Sequence, residues 1–243
     1  MILIRSTAYF LWFVLITVVI CITLLPALLL PQSVVKFGTR LWCKLQLWGL
    51  RVIAGQRYEV RGAVPAPGAL VAAKHMGMWD TLVLYLLLRD VTIVLKRELL
   101  FVPFYGWYAL KVGFIFIDRQ AGASALRKLL ARAADALKRK QSLLIFPEGT
   151  RKRPGAPPDY KPGIAAIYDR LGVACVPVAL NSGLYWAGPS GFLKLPGTIV
   201  VEFLPAIPPG IQRKQFMQQL QELIETSTAN LLAERQRGSQ TNC

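Results

Sequence analysis

Ser142-Leu143-Leu144-Ile145-Phe146-Pro147-Glu148-Gly149-Thr150-Arg151 reads as a buried strand that runs out into a turn. An unbroken apolar run of this length suits a strand covered on both faces, and Pro147 and Gly149 stop it. Just upstream, Ala121–Lys140 carries Leu126, Leu129, Leu130, Ala133 and Leu137 at helical spacing, with Arg127, Lys128, Arg132, Lys138, Arg139 and Lys140 around them. A helix feeding a doubly buried strand is the repeating unit of an α/β sheet.

The same alternation extends in both directions. Ala69–Ala73, Val91–Leu95, Phe114–Ile117, Cys175–Leu180 and Thr198–Phe203 read as further buried strands. Trp79–Leu88, Gly163–Arg170 and Gln212–Arg235 read as helices. The pattern predicts an α/β fold: a mixed, largely parallel central sheet flanked by helices. It divides the chain into anchoring helices over residues 1–56, one globular domain over 57–236, and a flexible tail at 237–243.

Composition narrows the class. The net charge is +16, yet 54% of residues are hydrophobic. A nucleic-acid binder is basic and polar; a basic and greasy chain fits an anionic membrane surface instead. Cys21, Cys43, Cys175 and Cys243 show no paired spacing, and with a single histidine they make no zinc set, so no metal is expected. Ala8–Leu30 is apolar throughout except for Thr17, Thr23 and Pro26. At about 1.5 Å per residue such a run can cross a ~30 Å hydrocarbon core. Lys36, Arg40, Lys44 and Arg51 follow it, with no acid before Glu59. The positive-inside rule then places the globular domain on the cytoplasmic side, as at a bacterial inner membrane. Val34–Ile53 reads as an amphipathic helix lying on the bilayer, with Trp42 and Trp48 at headgroup level. Pro26 and Pro31 allow a different arrangement, two short helices set into the membrane from one face.

Sites in such sheets form where strands run out into loops. The only histidine, His75, follows the strand ending at Ala73, and Asp80 stands five residues on. An imidazole oriented by a carboxylate is the minimal kit for deprotonating an alcohol. Five residues are about 140° apart on a continuous helix. The pair therefore meets only if His75 lies in a loop and Asp80 in the first turn of the helix that follows. Arg119 follows another strand; Glu148, Gly149, Thr150 and Arg151 follow a third. Arginine forks suit phosphate oxygens. No serine sits in a Gly-x-Ser-x-Gly elbow, which argues against a hydrolase.

Together these residues resemble the glycerolipid acyltransferases, specifically the 1-acyl-sn-glycerol-3-phosphate acyltransferases. His75 to Asp80 matches the family's His-x4-Asp block. Lys96-Arg97-Glu98-Leu99, Pro103, Gly106, Gly113 and Ile117-Asp118-Arg119 match its second block. Phe146 to Arg151 matches the third, and Lys161-Pro162-Gly163 with Val176-Pro177-Val178 the fourth. The likeness spans roughly residues 58–205, the bulk of a domain of ordinary size.

The resemblance implies an acyltransferase that moves an acyl group from a thioester to the sn-2 hydroxyl of lysophosphatidic acid, giving phosphatidic acid. The donor would be acyl-CoA or acyl carrier protein, a co-substrate rather than a cofactor. His75 and Asp80 would be catalytic. Arg119, Glu148, Gly149, Thr150, Arg151, Lys96 and Arg97 would bind substrate, with Glu148 either holding Arg151 or ordering the acceptor's glycerol. Backbone amides near Gly77 or Gly149 would be the oxyanion donors. The family often has Asn before the histidine and Ser two after it, where this chain has Lys74 and Gly77. Lys74 would put a cation beside the base. The apolar stretch Phe101–Phe116 would line an acyl channel. Two other readings stand beside this one: acylation of another lysolipid, such as lyso-ornithine lipid, and a non-catalytic membrane lipid-binding protein.

Overall fold

The computed structural model describes residues 1–187 and 191–240, without the side chains of 119, 236 and 238–240. In chain order the elements are α1 (Ile2–Thr23), α2 (Gln32–Ile53), β1 (Gln56–Arg61), β2 (Leu70–Ala73), α3 (Met78–Leu87), β3 (Val91–Lys96), α4 (Tyr105–Val112), β4 (Ile115–Ile117), α5 (Gly122–Lys138), β5 (Ser142–Ile145), α6 (Gly163–Leu171), β6 (Cys175–Leu180), β7 (Trp186–Ala187), β8 (Leu193–Lys194), β9 (Gly197–Phe203) and α7 (Arg213–Gln240).

One sheet carries the fold, in the order β1-β9-β6-β2-β5-β3-β4. From β6 to β4 every pairing is parallel; β9 runs antiparallel to β6, and β1 follows β9. The predicted mixed, largely parallel sheet is the one observed. Since β2, β3, β4, β5 and β6 all point the same way, their C-terminal ends open on one edge, and the loops after them share a neighbourhood.

Strand residues alternate between the two faces. Val71, Ala73, Leu144 and Phe146 face one apolar layer with α2 and α3 residues such as Leu50, Val83 and Leu84. Leu70, Ala72, Leu143 and Ile145 face the other, with Leu129, Ala133, Ile164, Ile167, Phe216, Leu220 and Ile224 from α5, α6 and α7. The strands are therefore buried on both sides, which is why they read as unbroken apolar runs rather than alternating ones.

Three elements depart from the sequence reading. β1 pairs with β9 at the sheet edge, but its polar residues give it no apolar run. Residues 101–116 are not one apolar lining: α4 sits within them, and Phe101, Phe104, Trp107 and Leu110 are exposed. Gly106 lets α4 close on the preceding turn, because a Cβ there would meet the Leu100 carbonyl oxygen at 1.9 Å. α7 continues to Gln240, so residues 237–240 of the expected tail are helical, while 241–243 lie outside the described residues.

The N-terminal helices form a hairpin. α1 is long and apolar enough to cross a membrane by length and composition. It starts at Ile2 and stops at Thr23, earlier at both ends than the predicted Ala8–Leu30. Both of its ends touch the globular part. Ser6 Oγ accepts from the Lys194 amide at 2.9 Å, and Tyr108 donates to the Cys21 carbonyl at 2.6 Å. α2 is packed as well as amphipathic, burying Val35, Cys43, Gln46, Gly49 and Leu50. Two of its cations face protein rather than lipid: Lys36 pairs with Asp90 at 2.8 Å, and Arg40 donates to the carbonyls of Tyr85, Leu86 and Arg89 around the end of α3. Phe37, Leu41, Trp48 and Val52 stay exposed.

Candidate active site

The loop from β2 into α3 is short and closed on itself. Gly77 precedes the first turn of α3, where the first amides have no helical acceptor. Asp80, in that turn and fully buried, reaches back to the two amides just before the helix. Its Oδ2 accepts from the Met76 amide at 2.7 Å and the Gly77 amide at 2.8 Å. The same oxygen stands 3.0 Å from His75 Nδ1. His75 thus lies in the loop and Asp80 in the first turn of α3, the arrangement the spacing requires. With Nδ1 engaged, Nε2 is the nitrogen left to work. The ring face also stacks on Phe146 at the end of β5, 3.9 Å between centroids and 21° between planes. Phe146 and His75 face the same layer, so this contact follows from strand alternation.

The loop after β5 bends at once. Gly149 has φ 65°, a left-handed conformation that favours glycine. It brings Arg151, Lys152 and Arg153 round to the β2 loop, where the Lys152 amide donates to the His75 carbonyl at 2.8 Å. A cavity of about 580 Å³ is lined by Arg151, Lys152 and Arg153 of this loop and by Met76, Gly77 and Met78 of the β2 loop. Trp186 is a further lining residue. Among the described residues Arg151 has no ion-pair partner, so its charge remains available to an anion. Its field reaches Tyr105 of α4, whose hydroxyl burial pushes up to about 12 while the guanidinium pulls it back.

The structure brings His75, Asp80, Gly149, Thr150 and Arg151 together, and adds Phe146, Lys152 and Arg153. Phe146 opens the matched string, where it read only as the end of a strand, and Lys152 and Arg153 were legible only as its neighbours. Lys96 and Arg97 lie at the end of β3 on the same sheet edge, but Arg97 is paired with Asp118 at 2.7 Å. The backbone of Arg119 follows β4, and its side chain lies outside the described residues.

Three expectations are corrected. Glu148 does not hold Arg151; it is buried behind the loop, 2.9 Å from Lys74 Nζ. Lys74 is not beside the imidazole, because it takes the other face of the β2 line from His75. Of the amides near Gly77 and Gly149 expected as oxyanion donors, the two glycines' own are engaged: Gly77 donates to Asp80, and Gly149 donates to the Phe146 carbonyl at 2.9 Å, which leaves the role to their neighbours.

The chain is similar to known proteins. The acyltransferase family model matches residues 57–181. A 1-acyl-sn-glycerol-3-phosphate acyltransferase of Pseudomonas aeruginosa is 36% identical over 201 residues, 82% of this chain and 78% of that one. A lyso-ornithine lipid O-acyltransferase of the same organism is 35% identical over 136 residues, 55% of this chain and 52% of that one. The crystal structure of the 1-acyl-sn-glycerophosphate acyltransferase of Thermotoga maritima superposes with a TM-score of 0.77, covering 95% of this chain and 98% of that one at 20% identity, a likeness of fold.

Proposed function

The chain belongs to the acyltransferase family, and from that premise we propose that it acylates the sn-2 hydroxyl of 1-acyl-glycerol-3-phosphate to give phosphatidic acid. The observation that carries this reading is the tether between the two loops. The Lys152 amide bonds to the carbonyl of His75, so the backbone that carries Arg151, Lys152 and Arg153 is fixed beside the base. An acceptor bearing both a phosphate and a hydroxyl is the substrate that uses both.

In the proposed step His75 Nε2 takes the proton of the acceptor hydroxyl as its oxygen attacks the thioester carbonyl carbon. General-base help of this kind contributes about 10²–10⁴-fold. Asp80 keeps the remaining ring proton on Nδ1 and stabilises the imidazolium. The tetrahedral intermediate then expels the thiolate, which takes the proton back from His75 and leaves as the thiol. One ester bond forms, one thioester bond breaks, and the base is regenerated. Arg151, with Lys152, Arg153 and Arg119, would receive the acceptor phosphate. The thioester, from coenzyme A or acyl carrier protein, is a co-substrate.

The chain associates with membranes through its apolar N-terminal helix. Contacts from both ends of α1 to the globular part favour a hairpin set into the membrane from one face. Lys44 and Arg51, the remaining cations of α2, support the cytoplasmic leaflet. The test is transfer by the purified, detergent-solubilised chain from labelled acyl-CoA or acyl carrier protein thioester. Lysophosphatidic acid and a phosphate-free lysolipid would be compared as acceptors. Faster transfer to lysophosphatidic acid is expected. Equal or faster transfer to the phosphate-free acceptor would move the assignment towards the lyso-ornithine lipid relative.

A further inference from the structure

Lys74 is the residue of the His75 loop that the reaction does not use. The β2–β6 ladder continues to it, the Lys74 amide bonding to the Val178 carbonyl at 3.0 Å, so strand alternation still holds there. Leu70 and Ala72 face α5, α6 and α7, and Lys74 continues their line. His75 takes the opposite face, its ring stacked on Phe146 in the layer of Val71 and Ala73. Adjacent residues are thus sent to opposite sides of the sheet.

On that side Lys74 is 3% exposed and its ammonium has two carboxylates. It donates to Glu148 Oε1 at 2.9 Å and to Glu225 of α7 at 2.7 and 2.9 Å. Tyr160, in the segment before α6, donates to Glu225 Oε1 at 2.9 Å. The four side chains come from the β2 end, the β5 loop, the α6 approach and the C-terminal helix. A buried cation holding two acids is strongly coupled, since removing it leaves like charges facing each other in a poorly solvated place.

We propose that Lys74 is a positioning residue: through Glu148 and Glu225 it locks α7 to the loops after β2 and β5, keeping the cation row in register with His75. This rests on the acyltransfer reading above. Its logic is geometric. Lys74 is bonded to His75 through the chain, and Glu148 is three residues from Arg151. One ammonium therefore sets the spacing between base and cations from behind, and α7 becomes part of the active site without touching substrate.

The experiment is a cycle of Lys74→Met, Glu225→Gln and the double variant in the full chain. kcat and KM for lysophosphatidic acid would be read at a temperature where each variant is folded by thermal melting. Lys74→Met is expected to lower kcat by about 30-fold with KM within about threefold. Adding Glu225→Gln should restore part of that loss by removing one of the two opposed carboxylates. A kcat within twofold of wild type in Lys74→Met, with only the melting temperature lowered, would reduce Lys74 to a stabilising role and overturn the proposal. Losses that simply add would overturn it as well. Should Lys74→Met not fold, Glu225→Ala keeps the neutral Lys74–Glu148 pair; it should lower kcat by several-fold, and an unchanged kcat refutes the coupling. If wild type itself transfers nothing to lysophosphatidic acid, the acyltransfer reading fails. The lock is then judged by hydrogen exchange over residues 147–153, expected to quicken in Glu225→Ala and contradicted if unchanged.

Discussion

The loops after β2 and β5 meet at one edge of the sheet, yet they are held in opposite ways. In the β2 loop the ionisable group sits inside: Asp80 is buried and spends one oxygen on two amides and the imidazole. In the β5 loop the acid is turned away to Lys74 and the cations are left outside, with Arg151 and Arg153 exposed. The first loop is set before any ligand arrives; the second keeps rotamer freedom in long side chains. The difference matches two tasks. Proton transfer needs a fixed angle and a short reach, whereas a phosphate on a mobile lipid can be met by any of several forks.

The sharpest break in that comparison is His75→Ala. It should lower kcat by about 10³–10⁴-fold while leaving membrane association and the melting temperature close to wild type. Activity within tenfold of wild type would take the base out of the mechanism. Asp80→Asn comes next. Asn can still accept the Met76 and Gly77 amides, so the loop should stay folded. Its oxygen, in the place of Oδ2, also still accepts from the ring, so what is lost is the charge that stabilises the imidazolium, and kcat should fall by about 10²–10³-fold. A larger effect on melting than on kcat would mean that Asp80 works mainly as a helix-start acid.

The open loop should respond in KM. Arg151→Ala is expected to raise KM for lysophosphatidic acid about tenfold, with kcat changed less, because Lys152 and Arg153 line the same cavity. The KM penalty should shrink as salt is added, since these charges face solvent. A fall in kcat with KM unchanged would place Arg151 on the transition state and erase the contrast between the loops.

How much of this was legible in the sequence depends on which physics wrote it. The strands buried on both faces are apolar runs, so β2, β3, β5 and β6 were read to within a residue or so. β1 escaped because its pairing uses backbone and its side chains are mostly polar. The His75–Asp80 contact was readable because local spacing fixes it. The Lys74 network was not. Its partners lie 74 and 151 residues away, and Glu225 stands on a helix whose polar face gives no hint of what it meets. Alternation along β2 was the available signal: it would have sent Lys74 away from His75, but not to a particular acid.

Glu148 gives the smallest effect and the finest test of the contrast. Burial pushes its carboxyl above the ordinary 4.5, with Lys74 pulling against that and Glu225 adding to it. Folded protein therefore binds this proton more tightly than unfolded protein does. The resulting stability is present in full below pH 4.5, the ordinary value, and is lost as pH rises through the folded value. The surface acids Asp118 and Asp159, held low by Arg97 and Lys161, contribute background slopes of their own, so the comparison must be with Glu148→Gln, which cannot titrate. Between pH 4.5 and neutrality the wild-type melting temperature should fall relative to that of Glu148→Gln. Parallel curves would mean that Lys74 fully compensates the burial, making the acid of the open loop as settled as the acid of the closed one.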